Sequence, residues 1–400
     1  MSTGKTVGTS VRGIRTPVIR EGDDLIEITA ASIAACQAEE GFSYNDMDVV
    51  GVTEAVVARA QGNYADTAAI RDDVAKKIGT GEFAVVFPIF SRNRFSVCLK
   101  GIAMAAKKIH LVMSYPSDEV GNRLFDDSLL YEYGVNPWTD EFSLERYREL
   151  FGFPVHRVTG VDYVAMYKEL IEEKGAECDI TFCNDFSKIG AKYSDILLCG
   201  IHDRARQKER LLAGGAKNVL TLTEILNSGP SAGRGGYNEL YGLLGSNLST
   251  EESVKLFPRD CAAFTGKLQK KLAAMTGKRI EVMIYGDGAF KDPANKIWEL
   301  ADPVVSPAYS DGLSGVPNEF KLKYLADSEF AALSGDELTE AVKKKIGAKK
   351  GDLRESEQSL GTTPRRIADL LGSLCDLTSG SGDKGTPIVY IQGYFDNYSD

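Results

Sequence analysis

The fold is decided by the stretch Asp46-Met-Asp-Val-Val-Gly-Val-Thr-Glu-Ala-Val-Val-Ala-Arg-Ala60. Its apolar run at 49–52 has the length and composition of a buried strand. A helix is predicted from about Ala55, and Gly62 ends it because glycine is a poor helix former. The polar residues Thr53 and Glu54 stand at the change from strand to helix.

The turn before this stretch has the sequence Glu21-Gly-Asp-Asp24. A carboxylate at Asp23 or Asp24 can accept hydrogen bonds from the first free N–H groups of a helix. Apolar residues then recur with helical spacing, so we predict a capped helix at about 25–39.

The middle of the chain alternates predicted helices with predicted strands, a spacing typical of parallel α/β units. The helices are predicted at 161–174 and 207–213, and the strands at 179–183, 196–199 and 218–222. We therefore predict a small α/β subdomain at 150–228, followed by a glycine-rich linker. Two further strands, at 83–90 and 109–113 around a helix at 100–108, are assigned to the preceding part of the chain.

The C-terminal part, 229–400, returns to a different pattern. It is predicted to contain helices at 261–275 and 364–377, strands at 280–285 and 387–392, and a charged helical arm at 336–355. Together with the N-terminal part, 1–149, it forms the main fold. The predicted class is α+β, a mixed-sheet core carrying the α/β subdomain.

Composition limits the classes of function. The 400 residues include 47 Lys and Arg and 57 Asp and Glu, a net charge of −10, which argues against sequence-independent nucleic-acid binding. No run approaches the roughly 18–20 apolar residues of a membrane span, and the first residues lack the apolar stretch of a signal peptide. The seven scattered cysteines, without a CxxC pair, are expected to be reduced and buried. We expect a cytoplasmic enzyme.

Glycines near the C-terminus form one candidate site. Gly380, Gly382 and Gly385 allow backbone N–H groups to converge on an anion, and Lys384 adds positive charge. The loop is therefore a candidate phosphate cradle. By composition alone, the favoured alternative is an ordinary flexible turn.

Two polar residues, Asp287 and Asn247, are further candidates for binding a metal ion or a ligand. Asp287 lies between two glycines just after an apolar strand, where a carboxylate is accessible to Mg²⁺ or Mn²⁺. The alternative is a turn aspartate. Asn247 is interpreted as either a ligand-binding residue or a cap for the turn that follows.

Three separated stretches together resemble the coenzyme F420-0:L-glutamate ligase (gamma-glutamyl ligase) family. The first comprises 13–25 and 46–62, with its EGDDL turn and its strand ending in small polar residues. The second comprises 245–258 and 276–287, with Gly-Ser-Asn and Thr-Gly-Lys-Arg. The third, 366–393, has a helix, a glycine loop and a closing strand. The α/β subdomain resembles an insertion into this family's core.

The resemblance implies a GTP-dependent amide ligase. Such enzymes transfer the γ-phosphoryl group to a substrate carboxylate, and the amino group of L-glutamate then attacks the acyl phosphate. The acceptor carboxylate is that of coenzyme F420-0 or a related small acid. The implied cofactors are GTP with Mg²⁺ or Mn²⁺, and a K⁺ ion in addition. The implied assembly is a homodimer, with no nucleic-acid or membrane partner.

The resemblance also implies roles for individual residues, although it assigns no catalytic residue. Asp287 matches a metal-binding aspartate. The positions that match nucleotide-contacting ones are Pro17, Val18, Thr53, Glu54, Arg59, Asn247, Gly380, Gly382 and Lys384.

The sequence departs from the family pattern at two of its polar positions. Leu244 stands where the family usually has an aspartate three residues before the matched asparagine, and leucine cannot bind metal. Arg59 stands in place of a lysine, and the two cations bind phosphate differently. Two alternatives therefore stay open: a non-catalytic nucleotide-binding or regulatory protein on the same scaffold, and a ligase with a different acceptor.

Overall fold

The computed structural model describes residues 6–157, 159–229, 235–286, 289–291, 298–300, 306–353, 356–359, 365–379 and 382–399. Its strands are β1 (Ser10–Ile14), β2 (Val49–Thr53), β3 (Tyr64–Asp66), β4 (Glu82–Val86), β5 (Lys108–Met113), β6 (Glu141–Ser143), β7 (Glu177–Cys183), β8 (Asp195–Leu198), β9 (Asn218–Thr221), β10 (Asn247–Thr250), β11 (Ser253–Lys255), β12 (Glu281–Tyr285), β13 (Ala289–Lys291), β14 (Trp298–Leu300), β15 (Ala308–Tyr309) and β16 (Ile388–Gln392). Its helices are α1 (Leu25–Glu40), α2 (Glu54–Ala60), α3 (Thr67–Lys77), α4 (Arg94–Ala105), α5 (Ser128–Glu132), α6 (Leu144–Phe151), α7 (Tyr163–Glu173), α8 (Phe186–Lys192), α9 (Arg204–Gly214), α10 (Cys261–Thr276), α11 (Leu322–Asp327), α12 (Gly335–Gly347) and α13 (Ile367–Ser379).

The chain divides into two compact units. Unit 1 comprises Met1–Ala60, Asp260–Asp287 and Val304–Asp400. Unit 2 comprises Gln61–Arg259 and Gly288–Pro303. The mixture of helices with parallel and antiparallel strands confirms the predicted α+β class.

Unit 1 is built on a five-stranded mixed sheet of order β1-β16-β2-β12-β15. The central strands β2 and β12 are parallel, and β2 is antiparallel to β16. Val50 and Val52 pack with α1 and α10 on one face, whereas Val49 packs with α13 on the other. Because β2 is covered on both faces, its sequence is a continuous apolar run rather than an alternation.

Helix α1 begins as the sequence predicts. The Asp24 carboxylate accepts hydrogen bonds from the N–H groups of Ile26 and Glu27, both at 3.1 Å. Asp23 closes the preceding turn instead, because its carboxylate accepts from the Arg20 N–H at 2.6 Å. The predicted helix at 25–39 is confirmed within one residue.

Helix α13 lies directly against the backbone of β2 at Gly51. A Cβ atom added to Gly51 would lie 2.4 Å from Cys375 Sγ and 3.2 Å from Tyr285 Cδ1. Contacts this short are not tolerated, so the close approach of helix and strand requires glycine. Gly51 therefore sets the distance between α13 and the sheet.

Unit 2 contains a six-stranded sheet of order β6-β7-β5-β4-β8-β9, in which β6 alone of the described strands is antiparallel. Apolar residues of α4 and α7 cover one face, and those of α8 and α9 cover the other. Parallel strands with helices on both faces form a doubly wound architecture. A three-stranded sheet, β10-β11-β3, completes the unit together with the antiparallel pair β13 and β14.

The α/β unit begins earlier than the predicted boundary at 150. Strands β4 and β5 lie in the middle of its sheet, paired with β8 and β7, although the sequence analysis assigned both to the N-terminal part. An apolar run identifies a buried strand without identifying its partners. The division at Gln61–Arg259 thus differs from the predicted parts 1–149, 150–228 and 229–400.

The segment after β4 also differs from its prediction. The predicted strand at 83–90 ends at Val86, because Phe87 has φ = 57° and Pro88 cannot donate to a ladder. The helix predicted at 100–108 begins at Arg94 instead, where the Ser91 hydroxyl accepts the Arg94 N–H at 3.1 Å.

The two ends of the main segment of unit 2 are bound to each other. Gln61 Nε2 donates to the Arg259 carbonyl at 2.7 Å, and the Arg259 N–H donates to Gln61 Oε1 at 2.8 Å. Arg259 Nη2 also donates to the Gln61 carbonyl at 3.3 Å. These bonds therefore hold the first and last residues of this segment next to each other.

All seven cysteines are free thiols, as expected. Four of them are buried, which confirms the expected burial for those four. Cys178 is half-buried, and burial raises its pKa to about 12. Because the thiolate is the reactive form, a raised pKa slows reaction at pH 8. Burial and the neighbouring Glu40 also raise the pKa of Cys36. We expect an aromatic disulfide reagent at pH 8 to modify Cys261 faster than Cys36 or Cys178 in the native protein, and all seven thiols after unfolding. Rapid modification of four or more native thiols would contradict this assignment.

Candidate ligand-binding site

Several chain segments meet at one edge of the unit 1 sheet. Because β2 and β12 are parallel and Thr53 is opposite Tyr285, both strands end at this edge. Glu54 begins α2 there, and Gly286 follows β12. Carboxyl ends of neighbouring parallel strands are a common location of ligand sites.

The N-terminal loop and the C-terminal tail reach the same edge. Strand β16 is antiparallel to β2, so it begins where β2 ends, and the Thr53 N–H donates to the Pro387 carbonyl at 3.0 Å. The Thr16 N–H donates to the Gly385 carbonyl at 3.3 Å. The edge thus joins parts of unit 1 that are far apart in the sequence.

A pocket of about 490 Å³ opens at this edge. Its lining residues come from the N-terminal loop, β2, α2, β12, α13 and the loop before β16: Thr16, Pro17, Val18, Ile19, Thr53, Ala55, Val56, Arg59, Tyr285, Asp376, Ser379, Gly385, Thr386 and Pro387. The structure therefore brings five of the sequence-predicted positions together, namely Pro17, Val18, Thr53, Arg59 and Gly385.

Arg59 supplies positive charge at the pocket. Its Nε donates to the Ile19 carbonyl at 2.5 Å, which fixes the guanidinium beside the N-terminal loop. No carboxylate of the described residues forms an ion pair with it. The exposed side of this guanidinium is therefore available to an anion.

One wall of the pocket is formed by Tyr285. The side chain is 1% exposed, and its hydroxyl has no hydrogen-bond partner among the described residues. The Ser379 and Thr53 hydroxyls are near enough to lower its pKa, but neither meets the distance and angle of a hydrogen bond to it. Burial has the larger effect, and it raises the pKa of Tyr285.

The C-terminal end of α13 forms another part of the lining. Its last turn contains no basic residue, and hydroxyl groups bond two of its free carbonyls instead. Ser379 Oγ donates to the Asp376 carbonyl at 3.1 Å, and Thr386 Oγ1 donates to the Ser379 carbonyl at 2.9 Å. With the Asp376 carboxylate beside it, this end is the negative side of the pocket.

The model of the family F420-0:gamma-glutamyl ligase matches residues 13–393 of the chain. The chain belongs to this family. No curated protein matches it in sequence. The family match confirms the resemblance and indicates a ligase acting on small molecules.

Of the remaining predicted positions of this gamma-glutamyl ligase family member, those that the structure describes do not line the pocket. Glu54 is buried next to Gly286, where an added Cβ would lie 2.4 Å from Glu54 Cγ. Gly382 and Lys384 belong to the single helical turn before β16, with Lys384 exposed. Asp287 and Gly380 lie outside the described residues.

Asn247 and Leu244 belong to unit 2 of the ligase family member. Asn247 begins β10 opposite Lys255 and is half-buried. Leu244 is fully buried in the apolar core of that unit. The leucine that stands in place of the family's usual aspartate therefore contributes to packing.

Sequence reasoning missed two pocket residues, Asp376 and Ser379. The sequence analysis placed both near the end of a predicted helix without a role. An acidic residue in the last turn of a helix is electrostatically unfavourable, and that signal could have singled out Asp376. Tyr285 belongs to a predicted strand, but its unpartnered hydroxyl is visible only in three dimensions.

The described parts of the chain lack two other kinds of feature. No helix there is long and apolar enough to cross a membrane. No group of three or more His, Cys, Asp and Glu side chains there is arranged to hold a metal ion.

Proposed function

We propose that the chain is a GTP-dependent ligase that joins L-glutamate to the carboxylate of coenzyme F420-0 or a related small acid. The observation that carries the proposal is the pocket at the carboxyl ends of β2 and β12. It collects Pro17, Val18, Thr53 and Arg59, which the family resemblance matches to nucleotide-contacting positions.

The proposed reaction has two steps. A carboxylate oxygen of the acceptor attacks the γ-phosphorus, the bond to the GDP oxygen breaks, and an acyl phosphate forms. The glutamate nitrogen then attacks the acyl carbon, inorganic phosphate leaves with the electron pair of the broken C–O bond, and the nitrogen loses a proton. Positioning and charge stabilisation account for most of the catalysis of such phosphoryl transfers.

Residues of the chain contribute charge and orientation. Arg59 is held beside the N-terminal loop by its bond to Ile19, so its guanidinium can face phosphate without reorganisation. Lys384 adds a second cation from the turn before β16. Thr53 offers a hydroxyl at the end of β2, and it lines the same pocket as Arg59.

Divalent metal, when bound, neutralises phosphate charge, and oxygen ligands suit Mg²⁺ or Mn²⁺. Glu54 fits this requirement because its side chain lies against Gly286, the residue before Asp287. We propose that Glu54 and Asp287 hold the metal. The same resemblance leads us to propose a K⁺ ion and a homodimer.

Calorimetry and product analysis test the proposal. GTP with Mg²⁺ is titrated into the protein, and GDP, phosphate and amide are then measured with F420-0 and L-glutamate present. We expect nucleotide binding, and equal amounts of GDP and amide only when both co-substrates are present. Absence of nucleotide binding and of GDP formation with any carboxylate would refute the proposal.

A second candidate is a nucleotide-binding protein that does not catalyse ligation. Leu244 favours it, because an apolar core residue stands where the family usually has an acidic one. Tight GTP binding without GDP release would support this function. A screen of small acids by mass spectrometry would identify a ligase with another acceptor.

A further inference from the structure

We propose that the corner of the pocket formed by Asp376, Ser379 and Tyr285 binds the ammonium group of the amino-acid co-substrate. The inference rests on the proposed function. It concerns the binding of the amino-acid co-substrate, whereas Arg59 is matched to nucleotide contact. The three residues lie at the ends of α13 and β12, and all of them line the pocket.

The charge of this corner selects a cation. The end of α13 carries the negative pole of the helix, and no basic residue of its last turn neutralises it. Asp376 adds a carboxylate to the same region. A phosphate group placed there would meet like charge, whereas an ammonium group would meet opposite charge.

The Tyr285 hydroxyl provides independent support. It is buried, lines the pocket, and has no hydrogen-bond partner among the described residues. A buried polar atom without a partner is unfavourable, so such atoms in native proteins usually bond to something bound. An ammonium group has three N–H donors, enough to bond Tyr285 and Asp376 together.

The two charged sides of the pocket then have different tasks. Arg59 stands on α2 beside the N-terminal loop, and Asp376 stands on α13. Phosphate is held at the first and the amino group at the second, so the nitrogen is placed beside the carbon that carries the phosphate. The ammonium releases a proton to water, the free amine forms the C–N bond, and the C–O bond to phosphate breaks.

The deciding experiment compares substrates in the full-length Asp376→Asn variant. We expect the KM for L-glutamate to rise about 20-fold, because a charge-assisted bond is lost. The KM for GTP should stay within about twofold, since the phosphate side is unchanged. Inhibition by glutarate, which lacks the amino group, should be the same in wild type and variant.

The matched control is Asp369→Asn, the same change in the first turn of the same helix. Asp369 pairs with Arg366 at 2.8 Å and does not line the pocket. We expect this variant to keep the wild-type KM for L-glutamate. An equal rise in both variants would show a general effect of weakening α13 and would overturn the inference.

The outcomes separate this inference from the proposed function. A wild-type protein that never forms GDP refutes both. An active wild type whose Asp376→Asn variant keeps its KM for L-glutamate refutes the ammonium site alone. If Asp376→Asn does not fold, Tyr285→Phe replaces it, because removing an unpartnered buried hydroxyl leaves packing intact. We expect Tyr285→Phe to raise the KM for L-glutamate about fivefold, and an unchanged value would refute the site.

Discussion

Replacing Arg59 with methionine is expected to lower kcat/KM for GTP by about 100-fold. Methionine keeps most of the side-chain length but removes the guanidinium, which is the pocket's cation on α2. Arg59→Lys should lose only about tenfold, because lysine keeps the charge but not the fork that binds two phosphate oxygens. Steady-state assays with varied GTP measure both values.

Two controls accompany this prediction. Lys267→Met removes a cation from an exposed position of α10 that does not line the pocket, and it should leave kcat/KM unchanged. Urea unfolding of Arg59→Met checks that losing the bond to Ile19 has not unfolded the N-terminal loop. Equal kcat/KM values in Arg59→Met and wild type would show that Arg59 does not contact the nucleotide.

Replacing Gly51 with alanine is expected to lower the free energy of unfolding by about 2–3 kcal/mol. The added Cβ would lie 2.4 Å from Cys375 Sγ, so α13 must move away from the sheet or the strand must bend. Because α13 also carries Asp376 and Ser379 to the pocket, the KM for L-glutamate should rise as well. Urea denaturation with an unchanged m-value measures the loss of stability.

A compensating variant makes the Gly51 prediction specific. Cys375→Ala removes the sulfur atom that the new Cβ would meet, and alone it costs about 1 kcal/mol as a small cavity. In the double variant the two changes should partly cancel, rather than add. Gly266→Ala on α10 is the matched control: no atom lies within 4 Å of its added Cβ, so it should not destabilise the protein. Additive losses in the double variant would disprove the proposed contact.

Features set by neighbouring residues were predictable from the sequence. The start of α1 depends on the Asp24 carboxylate and two N–H groups within three residues of it. The buried strand β2 depends on its own apolar composition. Such local preferences are readable because the interacting groups are adjacent in the chain.

Features that depend on distant partners were not predictable in this way. Strands β4 and β5 have the same apolar character as β2, so nothing local distinguishes their sheet from that of unit 1. The pocket requires the parallel pairing of β2 with β12, which are separated in the chain by the main segment of unit 2, Gln61–Arg259. Only the family resemblance, which rests on the order and spacing of separated motifs, predicted that Pro17, Thr53 and Arg59 belong to one site.

The bonds between Gln61 and Arg259 have a consequence for how the chain reaches its native state. Joining the ends of a long disordered segment has an entropic cost that grows with its length. Once unit 2 has folded, these bonds hold Gln61 and Arg259 adjacent, so β2 can pair with the parallel strand β12 as though a short crossover connected them. The chain can therefore carry a large unit between β2 and β12 with little effect on the rate at which its central sheet folds.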